Sequence, residues 1–124
     1  MADGQSTANA NLMLTAGVGT NANNVQAHTG PPGAAGTANV SSVTTRPAAT
    51  WAAASGASVT TDGTPPAWSN WAGTNGEVVT DISLWSASSA GTFGFSAQLG
   101  APVTMNTGDS LTLTSITVSI PVAS

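Results

Sequence analysis

The sequence predicts an all-β fold, a single antiparallel β-sandwich or jelly-roll-like domain carrying an extended N-terminal arm. Three observations lead there. Turn formers punctuate the whole chain, with 14 Gly, 7 Pro and many Asn among 124 residues. Short apolar or Thr-rich runs lie between those turn formers, the pattern of a sandwich or barrel. Helix punctuation is almost absent.

Residues 1–24 are Ala, Asn, Gly and Thr in near-random order, broken by one apolar cluster, Leu12, Met13 and Leu14. They read as an extended docking arm ending in an anchor, with a first strand around Leu12 as the alternative. The β domain then spans residues 25–124. His28 to Gly36 is a loop in which Pro31-Pro32-Gly33 forces a turn. Val40 to Thr45 reads as a strand, and Pro47, with no N–H to donate, marks a strand start or an edge. Ala48 to Ala54 is the only run rich in helix formers, and Trp51 with the flanking Thr50, Ser55 and Gly56 turns the reading to extended. Ala57 to Thr61 is a short strand, and Asp62-Gly63 a tight turn.

Asn75-Gly76 is a second turn, and Glu77 to Trp85 is the clearest strand. Val78, Thr80, Ile82 and Leu84 fall on one face, and Val79, Asp81, Ser83 and Trp85 on the other. Gly91 to Ala97 follows, with Phe93 and Phe95 on one face. Asn106-Thr107-Gly108-Asp109 is a third turn. Leu111 to Ile120 closes the chain as one strand whose apolar phase shifts, and a β-bulge near Ser115 would reconcile the two halves. The expected core is Val40, Val43, Trp51, Val59, Ile82, Leu84, Phe93, Phe95, Leu111, Leu113, Val118 and Ile120.

Charge narrows the function classes. Charged residues make up 5% of the chain, one basic (Arg46) and five acidic, for a formal charge of −4; ordinary domains carry about 25%. Disorder pairs high net charge with low hydrophobicity, yet 40% of this chain is hydrophobic and it holds four Trp. Copies of so weakly charged a surface repel one another little, which suits packing against identical neighbours. Phosphate binding needs several cations, so nucleic acid is not an expected partner, and the same shortage argues against an anionic membrane surface. No apolar run reaches the length of a membrane span. The N-terminus lacks the basic and apolar regions of a signal peptide, so synthesis in a cytoplasm is expected. With no Cys there is neither a disulfide nor a thiolate metal site.

Little in the chain suits catalysis, and no catalytic, cofactor or metal residue is assigned. Cys, Lys and Tyr are missing, and a Ser–His–acid triad would have to use His28, which reads instead as a loop His bonded to backbone. Asp62, Asp81 and Asp109 match no calcium-loop spacing; single acids beside Gly read as turn residues. Arg46 is read two ways. It forms a surface salt bridge of little value, or it binds Glu77, Asp81 or a backbone carbonyl at a subunit contact. Trp68 and Trp71, in Pro-Ala-Trp-Ser-Asn-Trp-Ala-Gly, fit core, protein interface or a sugar-stacking platform.

Three segments in order resemble a family of small tailed-phage virion proteins, labelled tail fibre, minor tail or head decoration proteins. His28 to Val40 (HTGPPGAAGTANV) is similar to the family's HTADPGxxGxNEV. Arg46 to Val59 (RPAATWAAASGASV) is similar to ARxAVTWGAASGGSV, and Val79 to Phe93 resembles VTHxGLWDAxxGGTF. Leu99 to Ile120 resembles the family's closing segment, so the likeness spans roughly residues 26–121. Asp81 stands where the family often has His, and Ser86 where it often has Asp. The resemblance implies a virion structural protein with no enzymatic residues to inherit. The leading expectation is a capsid-surface decoration protein whose partners are the major capsid protein and copies of itself, a trimer by analogy. The alternative is a minor tail or tail-fibre component touching the host surface, with cell-wall glycan as partner. A carbohydrate-binding module is third. The candidate interface residues are Leu12, Met13, Leu14, Arg46, Trp68 and Trp71.

Overall fold

A computed structural model of the chain describes residues 4–122. Its elements run α1 (Thr7–Asn21), β1 (Asn24–His28), β2 (Ser58–Thr60), β3 (Ala67–Trp68), β4 (Glu77–Trp85), β5 (Phe93–Met105), β6 (Leu111–Thr112) and β7 (Thr117–Ser119). Every strand pair is antiparallel. The strands form one three-stranded sheet, β1-β4-β5, and two ribbons, β2-β7 and β3-β6. They are not gathered into the two larger sheets expected of a sandwich or jelly roll, because most of the strands are only two or three residues long.

The extended arm is corrected to a helix. Ser6 caps α1, its Oγ accepting the Asn9 N–H at 3.1 Å. Ala10, Leu14 and Val18, spaced four apart, are buried on one stripe. The helix is poor in local propensity: Gly17 and Gly19 each cost about 1 kcal/mol against Ala, and neither terminal turn carries a charge suited to the dipole. Packing overrides propensity here. Leu14 and Val18 join one core with Val25, Ala27, Val59, Ile82 and Leu84. β5 approaches α1 so closely that a Cβ on Gly94 would collide with the Asn21 carbonyl.

β4 is the central strand, paired to β1 through Val25–Leu84 and Ala27–Ile82 and to β5 through Leu84–Phe95 and Ile82–Ala97. The two faces predicted for it both exist, and both are buried from Asp81 to Trp85. The closing segment is not one bulged strand. β6 pairs with β3 and β7 with β2, and the shift in apolar phase is the chain leaving one ribbon for the other. On the way Leu113 N–H donates to the Pro66 carbonyl and Ile116 N–H to Thr61 Oγ1. Val40 to Thr45 makes only a bridge, Val40 to His28.

Among the residues expected inside, Val59, Ile82, Leu84, Leu111 and Leu113 are buried. Val43, Trp51, Phe95, Val118 and Ile120 pack against them half-buried. Val40 is exposed, and Phe93 packs on Trp85 instead, centroids 5.4 Å apart. The largest fully buried side chain is Trp71, met edge-on by Trp68 at 6.5 Å.

Candidate functional site

Strand alternation sends Val25, Ala27, Ile82 and Leu84 to one face of the main sheet and Gln26, His28, Asp81, Ser83 and Trp85 to the other. The second face is polar and nevertheless buried: Gln26, His28, Asp81 and Ser83 are all within the interior. Segment 29–47 covers it. That segment is pinned to β1 by backbone bonds from Thr29 N–H to Asn39 O, Ser41 N–H to Ala27 O and Val25 N–H to Pro47 O.

A buried polar layer must satisfy its own hydrogen bonds, and this one does so in a chain. Trp85 Nε1–H donates to Ser83 Oγ at 2.7 Å. Ser83 Oγ lies 2.6 Å from His28 Nε2, and His28 Nδ1 lies 2.8 Å from the Ala38 carbonyl. The carbonyl only accepts, so Nδ1 carries the proton and Nε2 accepts from the Ser83 hydroxyl. Neutral imidazole completes the chain; a second ring proton would leave Ser83 facing two donors with no acceptor for its own O–H. Burial accordingly pushes the His28 pKa below its ordinary value, against the opposing pull of the Ala38 carbonyl and of Asp81.

Arg46 closes the layer. Its guanidinium lies 4.2 Å above the Trp85 ring. Nε–H donates to Gln26 Oε1 at 3.3 Å, and Nη1 donates to the Ala87 and Ala90 carbonyls at 3.1 and 2.8 Å. The expected carboxylate partners lie elsewhere. Glu77 accepts from the Ser41 and Ser42 hydroxyls and the Ser42 N–H; burial raises its pKa, but those three bonds outweigh it and hold the carboxyl below its ordinary value. Asp81 accepts from Thr80 Oγ1. Arg46 therefore ties its own chain together, joining β1, segment 29–47 and the β4–β5 turn.

The arrangement can hold a loop but cannot reach a substrate. His28 and Ser83 have no solvent exposure, so the pair cannot act as base and nucleophile on an outside molecule. His28 does bond to backbone as predicted, from the end of β1 rather than from a loop.

The candidate interface residues separate into three places. Arg46 sits over the polar layer. Trp68 and Trp71 are core residues, 4% and 1% exposed, which takes them off the free surface; Trp68 Nε1–H also donates to the Thr45 carbonyl. Leu14 is buried under α1, whereas Leu12 and Met13 beside it are 70% and 50% exposed, the most exposed large apolar side chains described. On a helix Leu12 shares a face with Thr15 and Gly19. Those two residues line a cleft of about 230 Å³ with Trp51 and Ala52 to Ala54. Sequence reasoning missed Gln26 and the Ser83–Trp85 bond. Strand β1 itself was missed as well; the polar–apolar alternation of Asn24 to His28 is the signal that could have found it, and the covering of its polar side is a long-range matter.

A family model described as "Podophage GP4 fiber I protein gp80" matches residues 4–120. No curated protein matches the chain.

Proposed function

The chain belongs to the podophage GP4 fiber I protein gp80 family and is a phage virion structural protein, and from that premise we propose that it builds a tail fibre, working by binding and assembly rather than by catalysis. The observation that carries the reading is the match itself, which takes in α1 and every strand. The fibre role replaces capsid decoration as the leading one because the matched description names a fibre.

The structure suits a building part. Its one His–Ser pair is sealed beneath segment 29–47 and spent on holding that segment. Its two most exposed large apolar residues, Leu12 and Met13, are neighbours on the helix, where they provide the docking point that the predicted arm was meant to supply. Glycan stacking on Trp68 and Trp71 drops out with their burial.

The test is the number and place of copies in purified virions, by quantitative mass spectrometry against the major capsid protein and by immunogold labelling. A handful of copies with label on the tail supports the fibre. A copy for every few capsid subunits, with label over the shell, overturns it in favour of decoration.

A further inference from the structure

The two edges of the main sheet are treated differently. The outer edge of β1 is closed by residues 39–49 through Thr29 N–H to Asn39 O, Ser41 N–H to Ala27 O, Val25 N–H to Pro47 O and Ala49 N–H to Asn23 O. β5 pairs with β4 on its inner side. On its outer side no described residue makes a backbone hydrogen bond with it between Phe93 and Thr104. In an antiparallel strand every second residue turns its N–H and C=O away from the neighbour, so this edge presents an unmet row of donors and acceptors.

The usual protections are confined to one end. Residues 99–102 bulge opposite the single Thr80, and Pro102 stands in that bulge. From Phe93 to Gln98 there is no proline, and no residue of β5 is charged. Ser96, Ala97 and Gln98 are exposed in succession. At about 3.3 Å per residue the open stretch is roughly 20 Å long, a full strand's worth of pairing.

We propose that the Phe93–Gln98 edge joins two copies of this chain, β5 running antiparallel to β5 of the second copy across a two-fold axis, which makes one six-stranded sheet. The occupant follows from the molecule. The edge carries no charge with which to select a charged partner strand, and nothing in it repels its own copy. An antiparallel edge is self-complementary about a two-fold axis. Head-to-tail pairing of β5 with β1 of another copy is blocked because residues 39–49 already occupy that edge. The pairing rests on the reading of the chain as a multi-copy virion part, and it predicts even assemblies rather than the trimer suggested by analogy.

The test is sedimentation of the full chain over a concentration series, alongside S96K/Q98K and the control S110K. All three positions are exposed. Lys beside Lys across the dyad opposes pairing. The wild type and the control should form a species of twice the 12.0 kDa chain mass. S96K/Q98K should be monomeric at the same concentrations, its dissociation constant raised at least about tenfold, with the same far-ultraviolet spectrum and melting temperature as the wild-type monomer. In the wild type, amide exchange of residues 93–98 should slow with concentration. A monomer at every concentration, a trimer, or a dimer indifferent to both lysines overturns the proposal. A dimer that depends on this edge in a protein labelled over the capsid shell would sink the fibre reading and leave the edge standing.

Discussion

The two faces of the β1-β4-β5 sheet are about equally buried, but they are held by different physics. On one, Val25, Ala27, Ile82 and Leu84 meet the apolar core shared with Leu14 and Val18. That contact is non-directional and tolerates change of shape better than loss of volume. On the other, Gln26, His28 and Trp85 meet segment 29–47 through single hydrogen bonds and one cation–π contact, and Ser83 links His28 to Trp85 within the sheet. Each of those bonds is worth little net, yet leaving one partner unpaired is expensive. The apolar face therefore sets how stable the domain is, and the polar face sets which loop lies over it and in what pose.

Three substitutions or conditions separate the two faces, and a fourth probes the helix surface. The largest effect should come from Leu84→Ala on the apolar face, about 2–5 kcal/mol of unfolding free energy for a buried Leu, read from the denaturant midpoint. A loss under about 1 kcal/mol would mean that the core does not centre on β4. Ser83→Ala should cost less, about 1–3 kcal/mol, by stranding both His28 Nε2 and Trp85 Nε1. It should also speed proteolysis or amide exchange in residues 29–47 ahead of global unfolding. If that segment stays as protected as the sheet, the polar layer is not what pins it.

Acid is the third probe. His28 titrates lower in the fold than its ordinary value of about 6.5, so below that pH the unfolded chain binds the extra proton first. Stability from this residue is complete above about pH 6.5 and declines as pH falls through the window beneath it. Glu77, held below its ordinary carboxylate value, adds its own decline only at more acidic pH. A His28→Gln variant should lose the upper slope and keep the lower one; the same slope in both proteins would assign it elsewhere. The smallest change in stability should follow L12S/M13S, within about 0.5 kcal/mol because both side chains are exposed. The same variant should nonetheless fail to enter virions during complementation. Normal incorporation would remove the helix surface from the assembly contacts.

How much was legible from the residues differs element by element. Strand β4 was legible because nine residues in period two leave little choice, and the turns at Asp62-Gly63, Asn75-Gly76 and Asn106 to Asp109 were legible because Gly63, Gly76 and Gly108 all take positive φ there. Helix α1 was not, since Asn, Thr and Gly fill about half of its positions and speak against a helix there, and the three residues of the buried Ala10–Leu14–Val18 stripe are too few to read as a period. Trp68 and Trp71 allowed several readings because a Trp beside Gly and Asn looks the same in sequence whether it fills a core or a surface. The polar layer was half legible: alternation placed Asp81, Ser83 and Trp85 on one face, but not the loop above them.

What the sequence determined by itself is the class of molecule: strands between turns, very few charged residues, and segments in the order of a virion protein family. Such properties are local or compositional, so they survive without coordinates. Only the tertiary structure decided which face of α1 is buried, that Arg46 binds its own chain instead of a carboxylate, and that one sheet edge is closed and the other open. Those outcomes depend on contacts between residues tens of positions apart, such as His28 with Ser83 and Arg46 with Trp85, and no local pattern carries the free energy that selects them.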